Sequence, residues 1–250
     1  MIPSAPDPRH FDRNAELYER ARPPYPEALW SRLAELGALQ AGARALDLGS
    51  GTGQAVGPLV GAGMCVTAVE PGPALAARLH ERFPDVDVIA STAESAELPD
   101  SAFALATAAT SIHWFDLDVV LPKVREALQP GGTLAVWRNV YGDPRAPLTP
   151  FRRRVGEIVA QRVGEVQRAP DELDTARWAT VLSEDDLFEV RHVEEFRWSI
   201  RLDAAALREL FTTFSNWTPA EAVEIGRAVQ DLGGVVEEHY VTPLIVLRAR

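Results

Sequence analysis

The stretch Arg44-Ala45-Leu46-Asp47-Leu48-Gly49-Ser50-Gly51-Thr52-Gly53 constrains this chain more than any other. A short apolar run meets a carboxylate and then three glycines at alternate positions, the pattern of a strand entering a tight turn. Glycine tolerates the positive φ that such a turn requires, and side chains at these positions would hold a ligand away from the backbone. Val56, Leu59 and Val60 follow at helical spacing, so a helix is predicted whose first amides face the bend.

What the stretch lacks narrows the ligand. A dinucleotide fingerprint needs G-x-G-x-x-G. Counting from Gly49 puts Gln54 at the third glycine, and counting from Gly51 puts Val56 there. Asp47 at the strand end would also repel a pyrophosphate seated over the helix terminus, while attracting a cation. No Gly-Lys-Ser/Thr follows, which removes a P-loop. The spacing Asp47-x-Gly49-x-Gly51-x-Gly53 resembles motif I of class I S-adenosylmethionine-dependent methyltransferases. That resemblance implies S-adenosyl-L-methionine as cofactor and S-adenosyl-L-homocysteine as product.

With 250 residues, 46% of them apolar, the chain can bury a large core. Residues 1 to 8 hold no apolar signal core, and no stretch approaches the roughly 18 apolar residues of a membrane span, so a soluble cytoplasmic protein is expected. The single cysteine, Cys65, lies in an apolar run and reads as a buried strand thiol. A net charge of −11 argues against a nucleic-acid surface. The short basic run Arg152-Arg153-Arg154 reads as a solvated helix face. The five histidines, His10, His80, His113, His192 and His239, are scattered, so no metal site is expected.

Ahead of the bend, Phe11, Ala15, Leu17, Tyr18 and Ala21 share a helical face, and Pro23 and Pro24 stop that helix. Tyr18 and Arg22 stand four apart, presenting an aromatic ring and a cation together. Phe-Asp-x-x-Ala-x-x-Tyr-x-x-Ala-Arg-Pro-x-Tyr-Pro resembles the N-terminal helix of a methyltransferase subfamily that includes trans-aconitate methyltransferase-like proteins. The resemblance implies that Tyr18 and Arg22 lie over the cofactor, with Arg22 forking onto the methionyl carboxylate. A second helix is predicted through Leu29, Leu33 and Leu36 to Gly37.

Beyond the bend, Met64 to Glu70 reads as a buried strand ending on a carboxylate. Glu70 falls near the ~20-residue offset at which an acid takes ribose hydroxyls, and Pro71 beside it is placed against the adenine face. A helix from Pro73 and a strand over 86–90 continue the alternation. The loop after it resembles the adenine-binding segment of the family, which implies contacts through the Ala93 backbone and Glu94; the family's usual acid is Thr92 here. Phe103 to Ala109 is predicted as the fourth strand. It runs into Thr110-Ser111-Ile112-His113-Trp114-Phe115, near the expected switch point of an open α/β sheet, where ligands bind. The resemblance puts Thr110 at the cofactor and His113 and Trp114 on the substrate side. His113 has an ordinary pKa suited to a general base or a hydrogen-bond donor.

After a helix through Val120, Val124 and Leu128, Gln129-Pro130-Gly131-Gly132 makes a return turn and Thr133 to Trp137 a fifth strand. The alternation then breaks. The predicted architecture is an α/β, Rossmann-like class I methyltransferase fold: a seven-stranded, mostly parallel sheet, helices on both faces and a small helical cap. Residues 1–140 would hold the N-terminal helices and cofactor core, 141–187 the cap, and 188–250 the closing strands and helices of one domain. A bulge or break is expected at Pro243 in the last strand. The implied reaction is methyl transfer to a small metabolite, with a carboxylate or hydroxyl oxygen favoured and nitrogen or carbon open. An NAD-type oxidoreductase is disfavoured by Gln54 and Asp47. A non-enzymatic nucleoside-binding or regulatory protein stays open, because binding residues are clearer than catalytic ones.

Overall fold

The structure, a computed structural model, describes residues 9–162 and 173–250; the reading of residues 1–8 and part of the expected cap lie outside the described residues. The chain begins with α1 (Arg9–Arg13), α2 (Ala15–Ala21) and α3 (Glu27–Glu35). Next come β1 (Arg44–Leu48), α4 (Val56–Gly61), β2 (Cys65–Val69), α5 (Pro73–Arg82), β3 (Asp87–Ile89) and β4 (Phe103–Ala109). A single 3-10 turn, Ile112–Trp114, precedes α6 (Leu117–Ala127), β5 (Leu128–Trp137) and β6 (Val140–Tyr141). The chain closes with α7 (Pro150–Ala160), α8 (Thr175–Val181), β7 (Phe188–Asp203), α9 (Ala204–Thr212), α10 (Pro219–Asp231) and β8 (Val235–Ala249). Among the described residues no helix is long and apolar enough to cross a membrane.

Two compact units divide the chain. The larger comprises residues 24–139, 173–196 and 242–250. Its strands run in the order β3-β2-β1-β4-β5-β8, with β1 to β5 parallel and β8 antiparallel to β5. The order reverses between β1 and β4, so the carboxyl ends of those two strands form the switch point, where an open α/β sheet takes its ligands. Period-2 alternation decides which residues face which layer. Leu46, Leu48, Leu134, Val136, Ile245 and Leu247 pack on one side with Val120, Val124 and Leu182. Ala45, Val66, Ala68, Ala135, Leu244 and Val246 pack on the other with Leu29, Leu33, Val56 and Leu59. Each fully buried leucine contributes about 1.5–3 kcal/mol, so a sheet covered on both faces has little freedom to slip register.

The smaller unit holds residues 9–23, 140–162 and 197–241 among those described. Its core joins Phe151, Val155 and Ile158 of α7 to Leu207, Leu210 and Phe211 of α9 and to Ile225 and Val229 of α10. The helix starts are written locally. Thr149 accepts from the Arg152 amide, Asp203 from the Ala206 amide, and Thr218 and Glu221 form a reciprocal capping box. Arg20 on α2 meets Glu209 on α9 with two bonds, 3.0 and 2.8 Å. These residues group the N-terminal helices with α9, whereas the sequence grouped residues 1–140 together.

Several local expectations change. The predicted first helix breaks at Asn14 into α1 and α2. Cys65 is exposed, because it opens β2 opposite Arg44 at the outer end of both strands, before the buried run begins. β8 runs unbroken through Pro243. That proline falls between Val241, the last residue paired with β6, and Leu244, the first paired with β5, so its missing N–H costs no ladder bond in either pairing.

Arg152 does not share a solvated face with Arg153 and Arg154. Its guanidinium lies 3.8 Å from the Tyr141 ring centroid, and Nη2 stands 2.8 Å from Oε2 of Glu238, whose side chain is fully buried. Gly142, at φ +95°, leaves the necessary space, since a Cβ there would lie 2.5 Å from Arg152 Nη2. Burial raises the Glu238 pKa, and Arg152 opposes that rise. In Arg152→Leu the buried carboxylate loses its counter-charge, and urea unfolding near pH 8 should show a loss of about 3 kcal/mol. A raised carboxyl pKa means the cost applies to the ionised form, so the loss should shrink as the pH falls. The Arg152→Leu/Glu238→Leu double variant should recover most of it.

Candidate nucleoside site

Asp47 is the penultimate residue of β1, followed by buried Leu48 before the chain turns at Gly49. β1 is flanked by β2 and β4, with Asp47 opposite Ala68 on one side and Thr107 on the other. A side chain at the end of an interior strand is buried by its neighbours, and Asp47 is 1% exposed. Oδ1 accepts from Thr107 Oγ1 at 2.5 Å, whereas Oδ2, also buried, has no hydrogen-bond partner among the described residues. Burial raises the pKa from an ordinary 3.8 to about 6, against the lowering effect of Thr107 and Ser50. An unpaired buried carboxylate oxygen is costly. It fits a ligand that carries a cation.

Glu70 directly follows β2, and Val69 pairs with Leu48, so the two acids stand at neighbouring strand ends. Its carboxylate is oriented by backbone: Oε2 accepts the Gly51 amide and Oε1 the Gly72 amide, both at 2.8 Å. These two backbone bonds orient the carboxylate, a group that can accept hydrogen bonds from hydroxyls. The Glu70–Gly51 bond also ties the second acid to the glycine bend itself.

Gly49, Gly51 and Gly53 all have positive φ, at 66°, 57° and 87°. The positive φ expected of the turn is thus present at all three, and at two of them packing adds a further demand for glycine. A Cβ on Gly49 would lie 2.6 Å from Ser111 Cβ, and one on Gly53 would lie 2.7 Å from a Phe83 ring carbon. The protein's own side chains take up the space behind the bend. Arg82 supports it as well, donating to the Thr52 carbonyl at 2.8 Å, while Thr52 Oγ1 is buried without a hydrogen-bond partner. Regular helix begins only at Val56, so turn residues separate the glycines from α4.

Thr110 leaves β4 with φ +61°. For a β-branched residue this is a true outlier, of a kind that costs about 1–3 kcal/mol and persists only where surroundings impose it. The Thr110 amide donates to the Trp137 carbonyl at 2.7 Å, and its hydroxyl pairs with Tyr25 Oη at 2.9 Å. Ser111, 5% exposed, donates from Oγ to the Leu48 carbonyl at 2.6 Å. His113 and Trp114 follow on the 3-10 turn, their ring centroids 5.1 Å apart. Protein packed around the imidazole, and after it the Arg138 guanidinium, lower the His113 pKa from 6.5. The residue as a whole is exposed, which moderates desolvation; the direction gives a neutral imidazole near pH 7, not one poised to titrate there.

The remaining expected residues divide. Pro71 is exposed beside Glu70, and Ala93 turns its side chain into the core, leaving only backbone for a ligand. Glu94 accepts the Asp116 amide at 3.0 Å, and its carbonyl accepts from Lys123. Tyr18 and Arg22 belong to the smaller unit. There Arg22 donates to Thr213 Oγ1 at 2.9 Å and to Thr213 O at 3.0 Å, between the rings of Phe214 and Tyr18. Thr107, Thr52, Ser111 and Tyr25 were not singled out for the site. Thr107 alone left a signal, as a hydroxyl inside an otherwise apolar strand. Among the described residues no group of three potential ligands is placed to hold a metal.

Residues 46–136 match the family model described as a methyltransferase domain. An uncharacterized methyltransferase of Mycobacterium tuberculosis is 36% identical over 154 residues, 60% of this chain and 59% of that protein. The chain thus spans 59% of the length of that relative. An uncharacterized methyltransferase-like protein of Schizosaccharomyces pombe is 25% identical over 210 residues, 84% of this chain and 78% of that one. The solved "Putative Type II Methyltransferase" of Anaeromyxobacter dehalogenans superposes with a TM-score of 0.62 at 26% identity, covering 92% of this chain and 97% of that one. The fold is the class I methyltransferase fold.

S-adenosylmethionine fits the residues present, because its ammonium matches the unpaired Asp47 oxygen and its ribose hydroxyls match the acceptors on Glu70. Only the ionised Asp47 attracts a cation. With a ligand-free pKa near 6, calorimetric affinity for S-adenosylhomocysteine should be flat above pH 7 and fall about tenfold per unit below pH 6. Asp47→Asn should bind about 10- to 100-fold more weakly at pH 8, the worth of a hydrogen bond to a charged group, and should lose the acid-side dependence.

Proposed function

We propose that the protein transfers the methyl group of S-adenosylmethionine to a small metabolite, with a carboxylate or hydroxyl oxygen as the favoured acceptor. The observation that carries this reading is the buried, unpaired Oδ2 of Asp47 beside the amide-oriented carboxylate of Glu70, at the switch point of a methyltransferase-domain sheet. When bound, the cofactor supplies an electrophilic methyl group on a sulfonium. The chain's own work is then binding and alignment, worth far more to an in-line displacement than acid–base help.

Asp47 holds the ammonium, Glu70 the ribose hydroxyls, and Thr110 lines the β4 side of the same cleft. The Ala93 backbone and Glu94 take the adenine edge, with Pro71 against its face. His113 and Trp114 face the acceptor. A neutral imidazole on a cation-flanked turn can donate one hydrogen bond to an acceptor carboxylate or accept one from a hydroxyl, and a carboxylate needs no base, being ionised near pH 7.

The test is transfer of a labelled methyl group from S-adenosylmethionine to a metabolite extract, followed by identification of the labelled bond. Product esters or ethers support the oxygen reading; labelled amines or C-methyl products replace it. Binding without any transfer would favour a nucleoside-binding regulator. Glu70→Gln should weaken S-adenosylhomocysteine binding about tenfold or more. His113→Ala should leave that binding within about twofold while lowering kcat/KM for the acceptor about 10- to 100-fold.

A further inference from the structure

We propose that Tyr25 is a positioning residue that locks the turn after β4 onto the glycine bend after β1, so that both walls of the nucleoside site hold one geometry. Tyr25 belongs to the Pro-Tyr-Pro stretch ahead of α3, a part of the chain that the reading above gives no role. Prolines on both sides stiffen its backbone, and the residue before a proline is confined to extended conformations. Asn139 Nδ2 donates to the Pro24 carbonyl at 3.3 Å. The Tyr25 ring meets Trp137 and Trp30 edge-on, at 5.7 and 6.4 Å between centroids. Its hydroxyl is therefore delivered to a fixed place.

That place is the side chain of Thr110, 2.9 Å away. Thr110 is held in left-handed backbone that a β-branched residue avoids. Its amide is bound by the carbonyl of Trp137, the residue against which Tyr25 packs. Two tethers, one to each side of the same strained residue, make the conformation the only one available.

The strain is passed on. With Thr110 left-handed, Ser111 points at β1, donates from Oγ to the Leu48 carbonyl at 2.6 Å, and sets its Cβ against the space a side chain on Gly49 would need. A relaxed Thr110 would swing Ser111 off Leu48 and unpin the glycine bend from the loop that carries His113 and Trp114. The hydroxyl of Tyr25 thus acts at one remove on residues that it does not touch.

The ligand readout rests on the nucleoside reading above; the exchange readout does not. The full chain, Tyr25→Phe, Thr110→Asn and the double variant are compared by amide hydrogen exchange and by calorimetry with S-adenosylhomocysteine. Asparagine adopts left-handed backbone at little cost, so it holds the turn without the phenol. Tyr25→Phe should speed exchange about fivefold or more in segments 48–53 and 110–116, with α3 and β2 unchanged. It should also weaken ligand binding about tenfold, equivalent to about 1.4 kcal/mol. Adding Thr110→Asn should bring exchange in both segments back to within about twofold of the parent, and exchange alone reads this rescue because Thr110 itself lines the proposed cofactor site. Unchanged exchange in Tyr25→Phe, faster exchange spread through α3, or no rescue by asparagine would each overturn the lock. If the parent protein itself binds no S-adenosylhomocysteine, the nucleoside reading falls, and the exchange pattern alone decides the lock by the same criteria.

Discussion

A carboxylate with one bare oxygen, buried at the end of the central strand, is the interaction on which this site depends. Interior strands of a sheet covered on both faces should carry apolar side chains throughout, and β1 does so until Asp47. Thr107 across the β1–β4 pairing satisfies one oxygen. Nothing among the described residues satisfies the other. In the ligand-free protein this raises the carboxyl pKa, so ionisation of Asp47 draws on fold stability as the pH rises through its titration. The two-sided core of the larger unit is what lets the strand tolerate that cost, and a cationic ligand offsets it.

The same architecture explains which parts of the site were legible in the sequence. Asp47 and Glu70 were visible because each ends an apolar run, and a strand end next to a glycine turn has few bland uses for a carboxylate. β4 was read at its observed limits, Phe103–Ala109, since small and apolar residues filled it without interruption. Other features depend on what lies across the sheet. Thr107 matters because register sets it opposite Asp47, Ser111 because it fills the space behind Gly49, and Phe83 because it backs Gly53. The glycines were correctly placed on the bend and all three have the expected positive φ, while the packing of Ser111 and Phe83 against two of them depends on residues far along the chain.

Charge was the least legible property. Arg152 belongs to a run of three arginines that any single-sequence reading places in solvent, yet Gly142, Tyr141 and Glu238 build a partly buried seat for it. Tyr141 and Gly142 are neighbours in the chain, but Glu238 lies far along it from both and from Arg152. Helix starts in the same unit are set in the opposite way: Thr149, Asp203 and Thr218 cap through bonds three residues away. Pro243 shows both sides of the matter. Its missing donor led to the expectation of a bulge or break, but β8 stays one strand and changes partners around that residue.

His113 brings these strands of physics to bear on the chemistry. A histidine in an aromatic loop suggested a titrating base, but Arg138 and the surrounding protein favour the neutral ring. A lowered pKa weakens a base and, near pH 7, removes the charge that would attract an anion at long range. What remains is a directional hydrogen-bonding group on a turn whose backbone is strained at Thr110 and bound to β1 and β5. Displacement at a sulfonium carbon asks little of a base when the nucleophile is already ionised, and much of the angle at which it arrives. For the proposed reaction, a turn fixed by hydrogen bonds to β1 and β5 would serve the second demand better than the first.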